Sequence, residues 1–163
     1  MGRTKNTQYK MKKHIDEKLS LSRPSRDLLE NLAVECASKP SSDNTFQYAF
    51  ALAKSDDPKE LKYAVDILDG LVKEEYEHQV DCMYGAATAL YLLQDFEAAR
   101  ARCEAILRTN PDSRNTKELH LASIEGEEEA KEKQLKKAAV EGTIGVAAVG
   151  LALGVAGLLL KKR

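Results

Sequence analysis

At 163 residues with 43% hydrophobic content, the chain is long enough for one packed domain and a little more. Its net charge of -1 hides an uneven layout: residues 1–26 hold eight Lys/Arg against Asp16 and Glu17, a net of about +6, whereas residues 27–141 carry about -10. No apolar leader is visible, and Cys36, Cys82 and Cys103 are odd in number and far apart, which argues against a disulfide-built secreted domain and for reduced thiols packed as small hydrophobes.

The basic N-terminal segment, residues 1–25, reads as a flexible arm. Such charge suits nucleic acid, an anionic membrane surface, a mitochondrial presequence or an arm folded back on its own acidic body. The polar run Gly2 to Gln8 and the acidic pair Asp16–Glu17 are poor presequence material. The reading adopted is a solvated arm or one that docks on the body, residues 1–22 gating a binding groove, with no nucleic-acid partner.

Residues 26–124 read as a helical domain. Ser25 caps a first helix carrying Leu28, Leu29, Leu32, Ala33 and Cys36 at helical spacing, which stops before Lys39-Pro40. A second runs from about Asn44 to Lys54. Asp57-Pro58-x-Glu60 opens the third, with Asp as cap, Pro at the first position and Glu completing a capping box, and it continues through Val72. A fourth covers about Tyr76 to Leu93, Asp95 caps a fifth that ends near Thr109, and a sixth starts near Ser113 after Pro111. No window shows sustained period-two alternation, so the class is all-α.

The second and third helices repeat as the fourth and fifth after a shift of 35 residues. Ala64, Leu68, Leu71 and Val72 align with Ala99, Cys103, Ile106 and Leu107, and Tyr48, Ala51 and Leu52 with Met83, Ala86 and Ala87. A helix-turn-helix unit of this length is the tetratricopeptide period, and Ala87, Phe96, Ala99 and Pro111 stand at its small, aromatic, small and proline positions. The expectation is a six-helix bundle with two central repeats and the outer helices as caps. In such repeats the first helix of each pair lines the concave groove, which by register gives Phe46, Ala49 and Ala53 in one repeat and Asp81, Tyr84, Thr88, Tyr91 and Leu92 in the other. A groove of Tyr and Leu suits an extended or helical peptide.

No catalytic constellation is visible: His14, His78 and His120 are scattered, and there is no phosphate loop or Cys-x-x-Cys pair. The chain is therefore read as a binding protein with no metal and no cofactor. Residues 125–141 form a charged helical linker, in which Glu125 and Glu127 to Glu129 precede Lys131, Lys133, Lys136 and Lys137 at spacings that allow i,i+4 pairing on a solvated face.

Residues 142–160 contain no charge, and at about 1.5 Å per residue they are long enough for a ~30 Å hydrocarbon core, so a transmembrane anchor in the lipid bilayer is expected. Only Lys161, Lys162 and Arg163 follow, which predicts insertion after synthesis, a cytosolic N-terminal domain and a basic targeting tail. The moderate hydrophobicity of this glycine-bearing span points to the mitochondrial outer membrane or the peroxisome. Gly150, Gly154 and Gly157 would let two such helices pack closely, giving a homo-oligomer.

Asn44-Thr-Phe-Gln-Tyr-Ala-Phe-Ala-Leu-Ala-Lys-Ser55, Asn110-Pro-Asp-Ser-Arg-Asn-Thr-Lys-Glu-Leu119 and Gly150-Leu-Ala-Leu-Gly-Val-Ala-Gly-Leu158 together resemble the mitochondrial fission 1 protein family, over roughly Asp43 to Arg163. That resemblance implies two tetratricopeptide-like repeats, an outer-membrane or peroxisomal address, and a cytosolic groove that recruits a dynamin-related GTPase directly or through adaptors. Ala89-Leu90 stands where the family commonly has Gly-Asn, and Leu92 where it commonly has a basic residue, which makes this groove more apolar. Two other readings are a tail-anchored co-chaperone or import receptor, for which the groove lacks a Lys/Arg carboxylate clamp, and a membrane-remodelling protein acting through its glycine-bearing helix and basic arm.

Overall fold

The computed structural model describes residues 2–142, which form seven helices and no strand among the described residues. They are α1 (Arg3–Leu21), α2 (Arg26–Ser38), α3 (Ser42–Leu52), α4 (Pro58–Lys73), α5 (Gln79–Leu92), α6 (Phe96–Thr109) and α7 (Arg114–Glu141). The expected span 142–160, the Gly150, Gly154 and Gly157 face and the tail Lys161–Arg163 lie outside the described residues apart from Gly142. No described helix is long and apolar enough to cross a membrane.

Helix starts follow side-chain capping. Ser25, Ser41, Asp57 and Asp95 each accept a backbone N–H from the first turn of α2, α3, α4 and α6, and Pro58 opens α4 where its missing donor costs nothing. Glu60 does not turn back to complete a capping box. Its carboxylate accepts two hydrogen bonds from Arg26 of α2, at 2.8 and 2.9 Å, and one from Ser55. The C-termini of α4 and α5 share a closing turn, in which Glu75 (φ 56°) and Gln94 (φ 62°) take the left-handed position. The next amides then reach back to Leu71 and Leu90 at 3.1 and 3.0 Å.

Two apolar clusters hold the first compact unit, which ends at Gly126. One joins Leu29 of α2, Ala49 and Leu52 of α3, Leu61, Ala64, Leu68 and Leu71 of α4, and Cys82, Ala86 and Ala89 of α5. The other joins Ile15 and Leu19 of α1, Ala87 and Tyr91 of α5, Ala99 and Cys103 of α6, and Leu119 and Ala122 of α7. Positions aligned by the 35-residue shift share their fate: Ala64 and Ala99, and Leu68 and Cys103, are all fully buried. Burial pushes the Cys82 and Cys103 thiols up to about 11 and about 12, so both stay protonated at neutral pH.

Polar ties recur at one repeat length. Arg26–Glu60 joins α2 to α4, Tyr76–Asp43 joins the α4–α5 connection to α3, and Arg102–Asp69 joins α6 to α4, each across 33 or 34 residues. Arg26 holds the Glu60 carboxyl below its ordinary 4.5, first through the hydrogen bond and then through charge. A carboxyl depressed on folding contributes stability that is complete above its unfolded pKa and is lost as pH falls through the folded value. Replacing Glu60→Gln is therefore expected to cost stability at pH 7 and progressively less as pH falls below about 4.5, as read from urea melts across pH 3–7. An equal deficit at pH 3 and pH 7 would refute this role for Glu60.

The bundle has one helix more than the six expected. Where residues 1–25 read as a flexible arm, Arg3–Leu21 is helical, with Ile15 only 2% and Leu19 only 8% exposed. Met11, Ile15 and Leu19 fall at i,i+4 intervals on one stripe, a signal outweighed in the sequence by the density of lysine. α5 starts at Gln79 rather than near Tyr76, because Tyr76 is drawn into side-chain contacts with Asp43 and Phe46.

Along α7, Glu125 departs from the solvated face expected of it, being only 6% exposed. Beyond Gly126 the helix carries i,i+4 ion pairs Lys131–Glu127 at 2.6 Å and Lys136–Glu132 at 2.8 Å, as its spacing predicts.

Candidate functional site

The residues assigned to a groove by repeat register lie on α3 and α5 or directly after α3, but at different depths. Ala49 and Ala53 are fully buried and face the core, so they supply close packing rather than open surface. Thr88 is also buried, and its hydroxyl donates to the Tyr84 carbonyl at 2.9 Å. Register identifies which face turns inward, but not how much of that face neighbouring helices cover. Phe46, Tyr84 and Leu92 are half-buried, and the Asp81 side chain is 62% exposed. Leu92 packs against both apolar clusters, whereas Phe46 belongs to one and Tyr84 and Tyr91 to the other.

Tyr91 is the centre of this wall. It is 3% exposed, its ring meets Phe96 edge-on at 5.3 Å, and its hydroxyl donates to Asp16 Oδ1 of α1 at 2.6 Å. Asp16 in turn accepts from Lys12 at 2.7 Å, and His14 of α1 lies 3.8 Å from Glu118 of α7. The apolar side chains Ile15 and Leu19 complete the contact. The contact thus combines the apolar side chains Ile15 and Leu19 with a charge-assisted hydrogen bond from Tyr91 to an acidic residue of the arm. The α5 wall thus already receives one amphipathic helix, which is the chemistry of helix-in-groove recognition. Among the described residues no group of three or more His, Cys, Asp or Glu side chains stands close enough to hold a metal ion.

No family model matches the chain. Curated relatives do: it is 32% identical to mitochondrial fission 1 protein from Mus musculus over 126 residues, which cover 76% of each chain. The human protein of that name matches at the same identity and coverage.

The chain belongs to the mitochondrial fission 1 protein family.

A more distant fission 1 protein from Debaryomyces hansenii is 26% identical over 148 residues, 88% of this chain and 90% of its own length. Among solved structures, the fission protein Fis1 from Saccharomyces cerevisiae superposes with a TM-score of 0.64 at 19% identity, covering 71% of this chain and 95% of that one. Yeast Fis1 crystallised with an Mdv1 fragment that contains its N-terminal extension and coiled-coil domains gives 0.61 at 20% identity. These structures share the fold described above. Family membership agrees with the residues that carried the resemblance.

Proposed function

We propose that this chain is an adaptor for mitochondrial fission, held to a membrane through residues 142–160 and using the α3–α5 wall to recruit division machinery. The observation that carries this reading is the α5 wall itself: buried Tyr91 with half-buried Tyr84 and Leu92 forms an apolar strip that already takes a helix, α1, through Ile15, Leu19 and the Asp16–Tyr91 hydrogen bond. A partner helix would replace α1 there, so α1 acts as a gate. Relatives named mitochondrial fission 1 protein support the process, and the yeast Fis1–Mdv1 complex supports an adaptor of that process as the partner class.

The finer reading places the chain in the mitochondrial outer membrane and the peroxisomal membrane, its helical domain facing the cytosol. The recruited protein is a dynamin-related GTPase, bound directly or through an adaptor. Gly150, Gly154 and Gly157 provide a face for pairing two anchors, and Lys161, Lys162 and Arg163 provide the targeting tail.

Imaging of the tagged full chain beside a version ending at Glu141 tests this. Rim staining of mitochondria with fragmented organelles, both lost on truncation, is the expected result. Endoplasmic reticulum staining with unchanged organelles would favour a tail-anchored co-chaperone instead. Fusing residues 1–141 to an unrelated outer-membrane anchor should preserve recruitment; loss of fragmentation in that fusion would favour direct membrane remodelling by the native span.

A further inference from the structure

Away from the Asp16–Tyr91 contact, four rings meet where α3 faces the α4–α5 connection. Phe46 lies 5.2 Å from Phe50 and 5.7 Å from Tyr76 between ring centroids, and the His78 ring stacks on Phe46 at 6.0 Å with 28° between planes. Tyr76 meets His78 edge-on at 5.3 Å. The two phenylalanines and Tyr76 are half-buried, and His78 is half exposed. This is a place where aromatic faces come to the surface rather than closing into the core.

Its surroundings select for one kind of group. The chain lays its own nitrogen-bearing side chains on these faces: Lys54 Nζ sits 4.9 Å from the Phe50 centroid, and His78 covers Phe46. Carboxylates stand at the rim. Asp43 accepts from the Tyr76 hydroxyl at 2.7 Å, and Glu77 and Asp81 lie 3.7 and 3.8 Å from the two His78 nitrogens, with side chains 75% and 62% exposed. An aromatic face attracts a cation through its quadrupole, and a carboxylate beside the face adds to the attraction, whereas an acidic group is repelled by both.

We propose that this end of the groove takes a cationic side chain of the bound partner, with arginine fitting best. A planar guanidinium can replace His78 on the Phe46 face while its N–H fork reaches Glu77 and Asp81, which an ammonium cannot do in one plane. The inference rests on the groove reading above and adds to it the chemistry of the partner: an apolar segment along Tyr84 and Leu92 that carries a basic residue toward the α4–α5 connection.

The test uses the full 163-residue chain in neutral detergent and a fluorescently labelled hexapeptide of alternating leucine and arginine. Its twin carries citrulline, which keeps the shape of arginine without the charge. Fluorescence anisotropy is expected to show the arginine peptide binding about 3- to 30-fold more tightly. The paired substitution Glu77→Gln/Asp81→Asn should remove most of that preference and leave the citrulline peptide unchanged. A control pair, Asp66→Asn/Glu97→Gln, neutralises two exposed carboxylates elsewhere and should keep the preference.

Equal binding of the two peptides, or a preference that the control pair abolishes equally, overturns the cation site. In the first of those outcomes, weakening of both peptides by Tyr84→Ala would leave the groove reading standing. If Tyr84→Ala also changes nothing, in the full chain and in its Ile15→Ala/Leu19→Ala variant, the groove reading falls with the cation site.

Discussion

Replacing Gly126→Ala is expected to destabilise the fold by about 2 kcal/mol, the balance of about 3 kcal/mol of overpacking and the ~1 kcal/mol that alanine returns over glycine inside a helix. A Cβ at this position would stand 2.5, 2.6 and 2.8 Å from three atoms of the Phe96 ring, distances that force the ring aside. The ring is not free to swing, because it packs edge-on against Tyr91, whose hydroxyl holds Asp16. Urea unfolding of Gly126→Ala, Phe96→Leu and the double variant checks this. The smaller side chain should make alanine at 126 cheap, so the double variant should be more stable than the sum of the two losses. A gain of about 1 kcal/mol in Gly126→Ala would show that the ring moves at no cost and that the glycine is there for another reason.

The second large effect concerns α1. Ile15 and Leu19 are its two buried apolar residues, and deleting such side chains typically costs about 2–5 kcal/mol each. Most of a helix's stability in a protein comes from packing its amphipathic face, so Ile15→Ala/Leu19→Ala should release and unwind α1 together. Hydrogen exchange should then lose protection across residues 4–20, by about 30-fold or more if only 2 kcal/mol is forfeited, while α3, α4 and α6 stay protected. Under the gating proposal the same variant captures more fission partner than wild type. Unchanged protection over residues 4–20 would mean that α1 is held by something other than these two side chains. Unchanged capture with lost protection would remove the gate while leaving the docking intact.

How much of this was legible in the sequence depends on how local each cause is. Ser25, Asp57 and Asp95 act within one turn of their own helix, and the boundaries they mark agree with the structure to within a residue. The 35-residue shift compares the chain with itself, so it pairs positions such as Leu68 and Cys103, both fully buried, without reference to the fold. Charge misled where it was dense: the lysines of residues 1–22 hid the stripe through Met11, Ile15 and Leu19. Glu60 was read as a local cap, but its stronger partner, Arg26, is 34 residues away. The contact between Gly126 and Phe96 had no signal at all, since a lone glycine in a charged run looks the same whether it faces water or a ring. For the groove candidates, register placed the residues on α3 and α5 or directly after α3. Depth depended on neighbours, which is why Ala49, Ala53 and Thr88 proved buried, and why the cluster around Phe46, Tyr76 and His78 emerged only with the connection that brings the last two rings to α3.

The Asp16–Tyr91 bond spans 75 residues, and this sets an order of events during synthesis. α1 leaves the ribosome well before the surface it rests on. At roughly 5–20 residues per second, its place on α5 is made only some 4–15 s later, and the α7 residues Leu119 and Ala122 come later still. During that interval the basic helix has no home on its own chain and is open to chaperones, to lipid or to a neighbouring copy, whereas the α3–α4 pair can close as it emerges. The segment made early is therefore fitted late, and a nascent chain displays the α5 surface around Tyr91 uncovered for as long as that fitting takes.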